Sequence, residues 1–213
     1  MRKNRRTLLE VGGYIAGVIL VGFGIAAVVM GMNGRSTVTT SLQQENIVGS
    51  QDMTPAAIAA EAKEAGLPAS ISLPTCNVAG IEIANGTQAR CFAQYMRIHA
   101  LEATGGKTYA ELPRYATADG KGTDDTSAAL KDDTGQPVAN AVRDVWVTET
   151  ALATALNTSY MAQQLSVFGI VVGVALLLSG LGFLILAAAV FHRRKETAVE
   201  ASGAAVTAGA GAS

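Results

Sequence analysis

Few residues of this chain are equipped for chemistry, and their spacing narrows what they could do. There are two cysteines, Cys76 and Cys91, two histidines, His99 and His192, and seventeen carboxylates. A single cysteine pair lacks the further Cys or His ligands of a structural zinc site, whereas in an oxidising compartment an even pair reads as one disulfide. Closing a loop of ~15 residues, that bond stabilises by roughly 3 kcal/mol in the chain-entropy account. No HExxH, GxSxG or P-loop pattern occurs. His99 has Arg97 and Glu102 nearby, enough for an acid–base residue or a small pocket, but a lone helical histidine is more often structural or at the surface. Nothing in the spacing of the carboxylates selects a pair for general acid and base work.

The densest acidic group, Asp119, Asp124, Asp125, Asp132 and Asp133, invites a calcium reading. Asp119-Gly120-Lys121-Gly122-Thr123 puts a lysine at the third position, where an EF-hand-like loop supplies an oxygen, and its glycine is misplaced. A solvated acidic loop is expected instead. No catalytic residue, cofactor or metal is predicted.

The elements that must position these residues are set by two apolar runs, 11–32 and 167–191, neither of which holds a charged residue. At ~1.5 Å per residue they reach about 33 and 37 Å, enough for a bilayer core of ~30 Å. Arg2, Lys3, Arg5 and Arg6 precede the first, and Arg193, Arg194 and Lys195 follow the second. On the inner flanks only Arg35 lies close, and no Lys or Arg occurs from 144 to 190. The positive-inside rule then puts both termini (1–10 and 192–213) in the cytoplasm and 33–166 outside. His99 and His192 would sit on opposite sides of the membrane and could not share a metal. A basic segment before an apolar run also begins a secretory signal; this run, however, exceeds the usual ~7–15-residue core, and residues 29–33 offer no small-x-small cleavage site.

The segment 33–166 carries nine basic and fourteen acidic residues. That excess of negative charge repels phosphate backbones, so nucleic acid is not an expected partner. At 134 residues it is long enough for one modest core.

Along that segment, Asn33-Gly34 should stop the first span, and the Ser/Thr/Gln-rich stretch to residue 53 reads as an extended connector. Thr54 at N-cap, Pro55 at N1, Gly66 at C′ and Pro68 beyond predict a short helix with Ile58, Ala59, Ala62 and Ala65 on one face. Residues 78–83 alternate as a small hairpin turning at Ala79-Gly80. Asn85 with Gln88 makes a capping box, and Ala89, Phe92, Ala93, Met96, Ala100 and Ala103 keep helical period until Gly105-Gly106, predicting a helix over 87–104. Residues 107–138 read as loop, with at most one helical turn near 127–131. After Asn140, a plausible N-cap, no Gly or Pro occurs before Gly169. Val142, Val145, Glu149, Leu152, Leu156, Ser159 and Gln163 recur at three and four, predicting a helix that runs unbroken into the second span, with Trp146 packed against the helix of Phe92. The Ala/Gly/Thr/Ser-rich tail lacks core-forming residues and is expected to be disordered.

Gly13, Gly17, Gly24 and Gly31 in the first run are spaced by four, seven and seven, and Gly169, Gly173, Gly180 and Ala187 repeat that spacing. Steps of four and seven keep small residues near one face. Glycine is common in membrane helices, which is the plain reading; such a face also lets backbones approach closely, so the spans would pack on each other or on another membrane protein.

Residues 94–106 (QYMRIHALEATGG) and 146–159 (WVTETALATALNTS), with the two-span plan, resemble a family of small envelope membrane proteins of high-GC, actinobacteria-like bacteria. The resemblance covers most of the chain, implies no assigned function and brings no catalytic residues. Some members carry the label aromatic ring-opening dioxygenase, whose non-haem iron chemistry needs two His and a carboxylate around one metal.

The sequence thus predicts a mainly α membrane protein, two transmembrane helices flanking a mostly helical, single-disulfide extracytoplasmic domain. Its expected role is non-catalytic, as an accessory or scaffold subunit, with the lipid bilayer and a membrane-protein partner or a second copy as its partners. The alternative is a small-ligand sensor acting through another subunit.

Overall fold

The computed structural model describes the backbone of residues 2–210 and the side chains of residues 11–190. Four helices follow in chain order: α1 (Arg2–Gln44), α2 (Pro55–Glu64), α3 (Gly86–Ala103) and α4 (Val142–Ala210). Among the described residues, β structure is limited to isolated bridges. Two compact units result, one of Met1–Asn33 with Leu165–Ser213 and one of Gly34–Gln164. The basic segment 1–10 and the tail 192–213, expected to be disordered, lie outside the described side chains.

Both α1 and α4 contain stretches long and apolar enough to cross a membrane, Val11–Gln44 and Val142–Val190. The expected continuity of the second run with a preceding helix is met in α4. Its start follows the expected chemistry too, since the Asn140 side chain accepts from the Val142 N–H at 3.2 Å.

The first helix does not stop at Asn33-Gly34. It continues to Gln44, replacing the extended connector expected there. The cost of a helical glycine is only about 1 kcal/mol, and Val38 and Leu42, one turn apart, are buried in the core of the second unit. Burial outweighs local propensity. The helix ends where Asn46 takes a left-handed conformation at φ 50°, with the Asn46 N–H bonded to the Gln43 carbonyl at 3.2 Å.

α2 has the predicted ends: the Thr54 hydroxyl accepts from the Ala57 N–H at 3.2 Å, and Gly66 follows at φ 66°. It buries Ile58 and Ala62, leaving Ala65 half-buried and Ala59 exposed. Residues 78–83 turn at Ala79-Gly80 as expected, but do not close a hairpin on themselves. Their partner is the 47–49 segment: the Ile83 N–H donates to the Ile47 carbonyl at 2.9 Å and the Gly49 N–H to the Ile81 carbonyl at 3.0 Å. A Cβ on Gly49 would stand 1.9 Å from the Val78 carbonyl oxygen, so the pairing requires glycine there.

α3 is the central element of the second unit. The Asn85 side chain caps it by accepting from the Gln88 N–H at 3.0 Å, and Gln88 accepts in return from the Ala84 N–H at 3.0 Å. At its end the Gly106 N–H reaches back to the Leu101 carbonyl at 2.7 Å, with Gly105 and Gly106 both at positive φ. Ala89, Phe92, Ala93 and Ala100 of the expected stripe are buried, Met96 is half-buried and Ala103 exposed. Cys91, Tyr95, Ile98 and Leu101 are buried as well. α3 is therefore covered on more than one face, unlike the one-sided helix its periodicity predicts.

Between residues 107 and 138 the chain is loop, as expected, and the one helical turn allowed near 127–131 is a plain turn. Trp146 is buried against the end of α3; its indole N–H lies 2.9 Å from the Lys107 carbonyl and 3.3 Å from the Thr104 hydroxyl. The Arg97 guanidinium lies 5.4 Å from the centre of the Trp146 ring.

Candidate functional site

Three places in the molecule collect residues that could act: the glycine faces of the apolar helices, the surroundings of His99, and the acidic loop.

The glycine faces meet each other. A Cβ on Gly17 would come 2.9 Å from the Gly180 carbonyl oxygen, and one on Gly180 would come 2.9 Å from that of Gly17. Gly24 and Gly173 stand in the same reciprocal relation at 2.8 Å, and a Cβ on Gly31 would stand 2.6 Å from the Ser166 carbonyl oxygen. Side chains four residues further along each helix cover these glycines. Leu184, Leu177 and Ile170 lie over Gly17, Gly24 and Gly31, while Val21 and Val28 lie over Gly180 and Gly173. Both sets recur every seven residues, the repeat of a left-handed helix pair with knobs set into holes.

Gly13 and Gly169, the outer members of the expected four-residue steps, are looser. Their nearest neighbours to an added Cβ are the Ala187 methyl at 3.3 Å and the Ala27 carbonyl oxygen at 3.7 Å. The contact is thus organised on the seven-residue repeat, and Ser166, which continues it seven residues before Gly173, was missed by a reading that looked for glycine alone. Among the described residues, Gly12, Gly22 and Gly182 have nothing within 4 Å of an added Cβ. Large apolar side chains point outward from the same helices: Phe23 is 66% exposed, Phe168 65% and Leu186 66%.

The second site centres on His99. Its Nε2 lies 3.3 Å from Asp52 Oδ2 and 3.6 Å from Glu61 Oε2. Asp52 comes from the segment ahead of α2, Glu61 from α2 and His99 from α3, and one donor atom of each lies within 4.8 Å of the other two. Despite these distances neither His99 Nε2 nor Asp52 Oδ1, both buried, has a hydrogen-bond partner among the described residues. Asp52 is held below the usual carboxylate range, chiefly by a hydrogen bond from the Ser50 side chain, against an opposing effect of burial and with help from His99. Glu61 is pushed up, first by burial and then by the charge of Asp52, with Glu102 and Glu64 adding to it and His99 opposing.

His99 and Arg97 border two different grooves, and Glu102 lines neither of them. His99 borders an open groove of about 500 Å³ with Met96, Ala100, Val145, Thr148 and Glu149. Arg97 borders another, of about 480 Å³, with Pro68, Leu73, Gln94 and Leu101. In the sequence His99 has only His192 as a second histidine, and Glu61 and Asp52 stand 38 and 47 positions upstream; the packing of α2 on α3 brings them to His99.

Cys76 and Cys91 are joined as expected, with Cα atoms 6.1 Å apart. The bond holds the 76–83 segment on α3, and the Tyr95 hydroxyl reinforces it by donating to the Cys76 carbonyl at 2.6 Å.

In the loop, Asp119, Asp125 and Asp132 serve their own turns, while Asp124 Oδ1 accepts from the Arg114 N–H at 3.1 Å. Asp132 Oδ1 accepts from the Thr134 N–H at 2.8 Å and the Gln136 N–H at 2.9 Å, Asp125 Oδ1 from the Ser127 N–H at 2.8 Å, and Asp119 Oδ1 from the Lys121 N–H at 3.2 Å. These bonds, with those from the Thr134, Ser127 and Thr117 hydroxyls, hold all three carboxyls below their ordinary range. The arrangement is that of Asx turns.

Compared with known proteins, the chain matches no family model, no curated sequence and no solved structure.

Proposed function

We propose that this is a two-span membrane protein without catalytic function, an accessory or scaffold subunit of a cell-envelope complex that presents residues 33–166 outside the membrane. The observation that carries the reading is the inverted packing of the apolar unit. Glycines of one helix receive the Leu, Ile and Val side chains of the other, while Phe23, Phe168, Leu186 and other large apolar side chains face outward, and only 17% of the apolar window of each helix is buried. A water-soluble core does the reverse. Lipid satisfies such a surface, and close backbone packing supplies the association that lipid does not drive. The clustering of basic residues at the outer ends of both runs supports an orientation with both termini inside.

The glycine faces are occupied by each other within the chain. A membrane partner would therefore meet the outward faces, and a soluble one the 33–166 segment. The resemblance to small envelope proteins of high-GC bacteria fits this role. Mild detergent extraction followed by native co-purification tests it: a defined partner or a homo-oligomer is expected, and a strictly monomeric, solitary chain would contradict it. The groove beside His99 favours a second reading, an extracytoplasmic small-ligand sensor acting through another subunit. Thermal shifts of the full chain against a metabolite panel separate the two, since a scaffold shows none.

A further inference from the structure

We propose that His99, Asp52 and Glu61 form a binding site for a divalent transition-metal ion of the zinc type. Zinc takes imidazole nitrogen at ~2.0–2.1 Å and carboxylate oxygen at ~2.0–2.2 Å in a tetrahedral set, which places the ligand atoms of neighbouring positions about 3.3–3.5 Å from one another. His99 Nε2 stands 3.3 Å from the Asp52 oxygen and 3.6 Å from the Glu61 oxygen. These distances are short enough for a hydrogen bond or nearly so, yet among the described residues Nε2 makes none. Donor atoms that lie close without pointing at one another have the arrangement of ligands around a shared ion.

The chemistry of the donors agrees. One imidazole with two carboxylates suits a borderline first-row ion, whereas magnesium and calcium favour all-oxygen sets. The electrostatics agree as well, because Glu64 and Glu102 add further negative charge around Glu61. An ion of charge +2 offsets the repulsion between Asp52 and Glu61 that the fold otherwise sustains. The side chains of Asp52, Glu61 and His99 are 38%, 29% and 26% exposed while His99 Nε2 itself is buried, so an ion would be approached from the carboxylate side, where a fourth position could take water or a ligand atom brought by a partner. Because the three residues come from the segment before α2, from α2 and from α3, the ion would clip those elements together, and binding would raise stability.

The test uses the full chain, free of any histidine tag, in detergent micelles, stripped with a chelator and then titrated with Zn²⁺ or with Co²⁺ as a spectroscopic stand-in. One equivalent retained through gel filtration, a tetrahedral Co²⁺ absorption band and a rise in Tm are expected for the wild type. All three should be lost in His99→Ala and in Glu61→Gln, the second preserving shape so that unaltered metal-free unfolding shows an intact fold. Absence of retained metal in the wild type, or equal uptake by both variants, would overturn the proposal and leave His99 as an ordinary partner of two carboxylates.

Discussion

The two units of this molecule solve the same problem, holding helices together, with opposite materials. In the unit of residues 34–164, α3 packs through large side chains: its own Tyr95 and Ile98, with Ile58, Ile83 and Leu156 from other segments, are almost wholly buried. A disulfide and buried polar contacts such as that of Trp146 with Lys107 add to the hydrophobic gain. In the apolar unit glycines bring the two backbones close, half-buried Leu, Ile and Val side chains cover them, and many of the other large side chains turn away. Where the surroundings are themselves apolar, burial of a leucine gains little, and what remains to be gained is the contact of backbone with backbone. The 34–164 unit uses that device between two helices at Gly86, where an added Cβ would stand 2.7 Å from Tyr160 Cα. The difference teaches that glycine is informative only with its neighbours.

The sharpest way to break the comparison is to give the glycine face a side chain. Gly24→Leu or Gly173→Leu places atoms where a bare Cβ already comes 2.8 Å from the facing carbonyl oxygen. Neither backbone oxygen can yield, so the pair should open toward the ~8–10 Å axial separation of ordinary helix pairs or come apart. Spin labels at Val11 and Ala188 should read a longer and broader distance distribution. Gly22→Leu and Gly182→Leu, where nothing lies within 4 Å, should leave it unchanged. An unchanged distance in the first two variants would mean that the helices are not held by this face.

The second intervention removes the staple that the apolar unit lacks. Reduction of the Cys76–Cys91 bond, or Cys91→Ser with Cys76→Ser, is expected to destabilise the 34–164 unit by about 3 kcal/mol. Chemical denaturation followed by Trp146 fluorescence reads that unit alone, because the chain has a single tryptophan. The label distance in the apolar unit should not respond.

How far these features were legible depended on whether their cause was local. The caps of α2 and α3 are single-residue chemistry at fixed offsets, and Thr54, Pro55, Asn85 and Gln88 announced them. The disulfide followed from there being only two cysteines. The continuation of α1 past Asn33-Gly34 was not legible, because its cause, the burial of Val38 and Leu42, lies in residues brought from elsewhere in the chain. The strand partner of 78–83 was hidden for the same reason. Of the candidate sites, the glycine repeat was visible as a pattern, but its reciprocal pairing and the role of Ser166 required a register between two helices. His99 stood out, while Asp52 and Glu61 looked like any other surface carboxylates until α2 packed on α3.

The smallest expected effect distinguishes the loop from both packed regions. Asp119, Asp125 and Asp132 are held in their charged form by hydrogen bonds to their own turns. For a carboxyl whose folded pKa lies below its unfolded value, the stabilising contribution is present above the unfolded value of 3.8 and is lost as pH falls through the folded one. Acidification from neutral pH should therefore speed hydrogen exchange at the Lys121, Ser127, Thr134 and Gln136 amides relative to their intrinsic rates, beginning just below the ordinary carboxylate range. Exchange in α3 should stay slow over the same interval, because the amides of a buried helix open only with the unit around them. Asp132→Asn keeps an accepting oxygen and removes the charge, so it should abolish the pH response at Thr134 and Gln136 while leaving that at Lys121 and Ser127. Loss of protection in α3 at the same pH would mean that the loop is part of the core and not an exposed connection between α3 and α4.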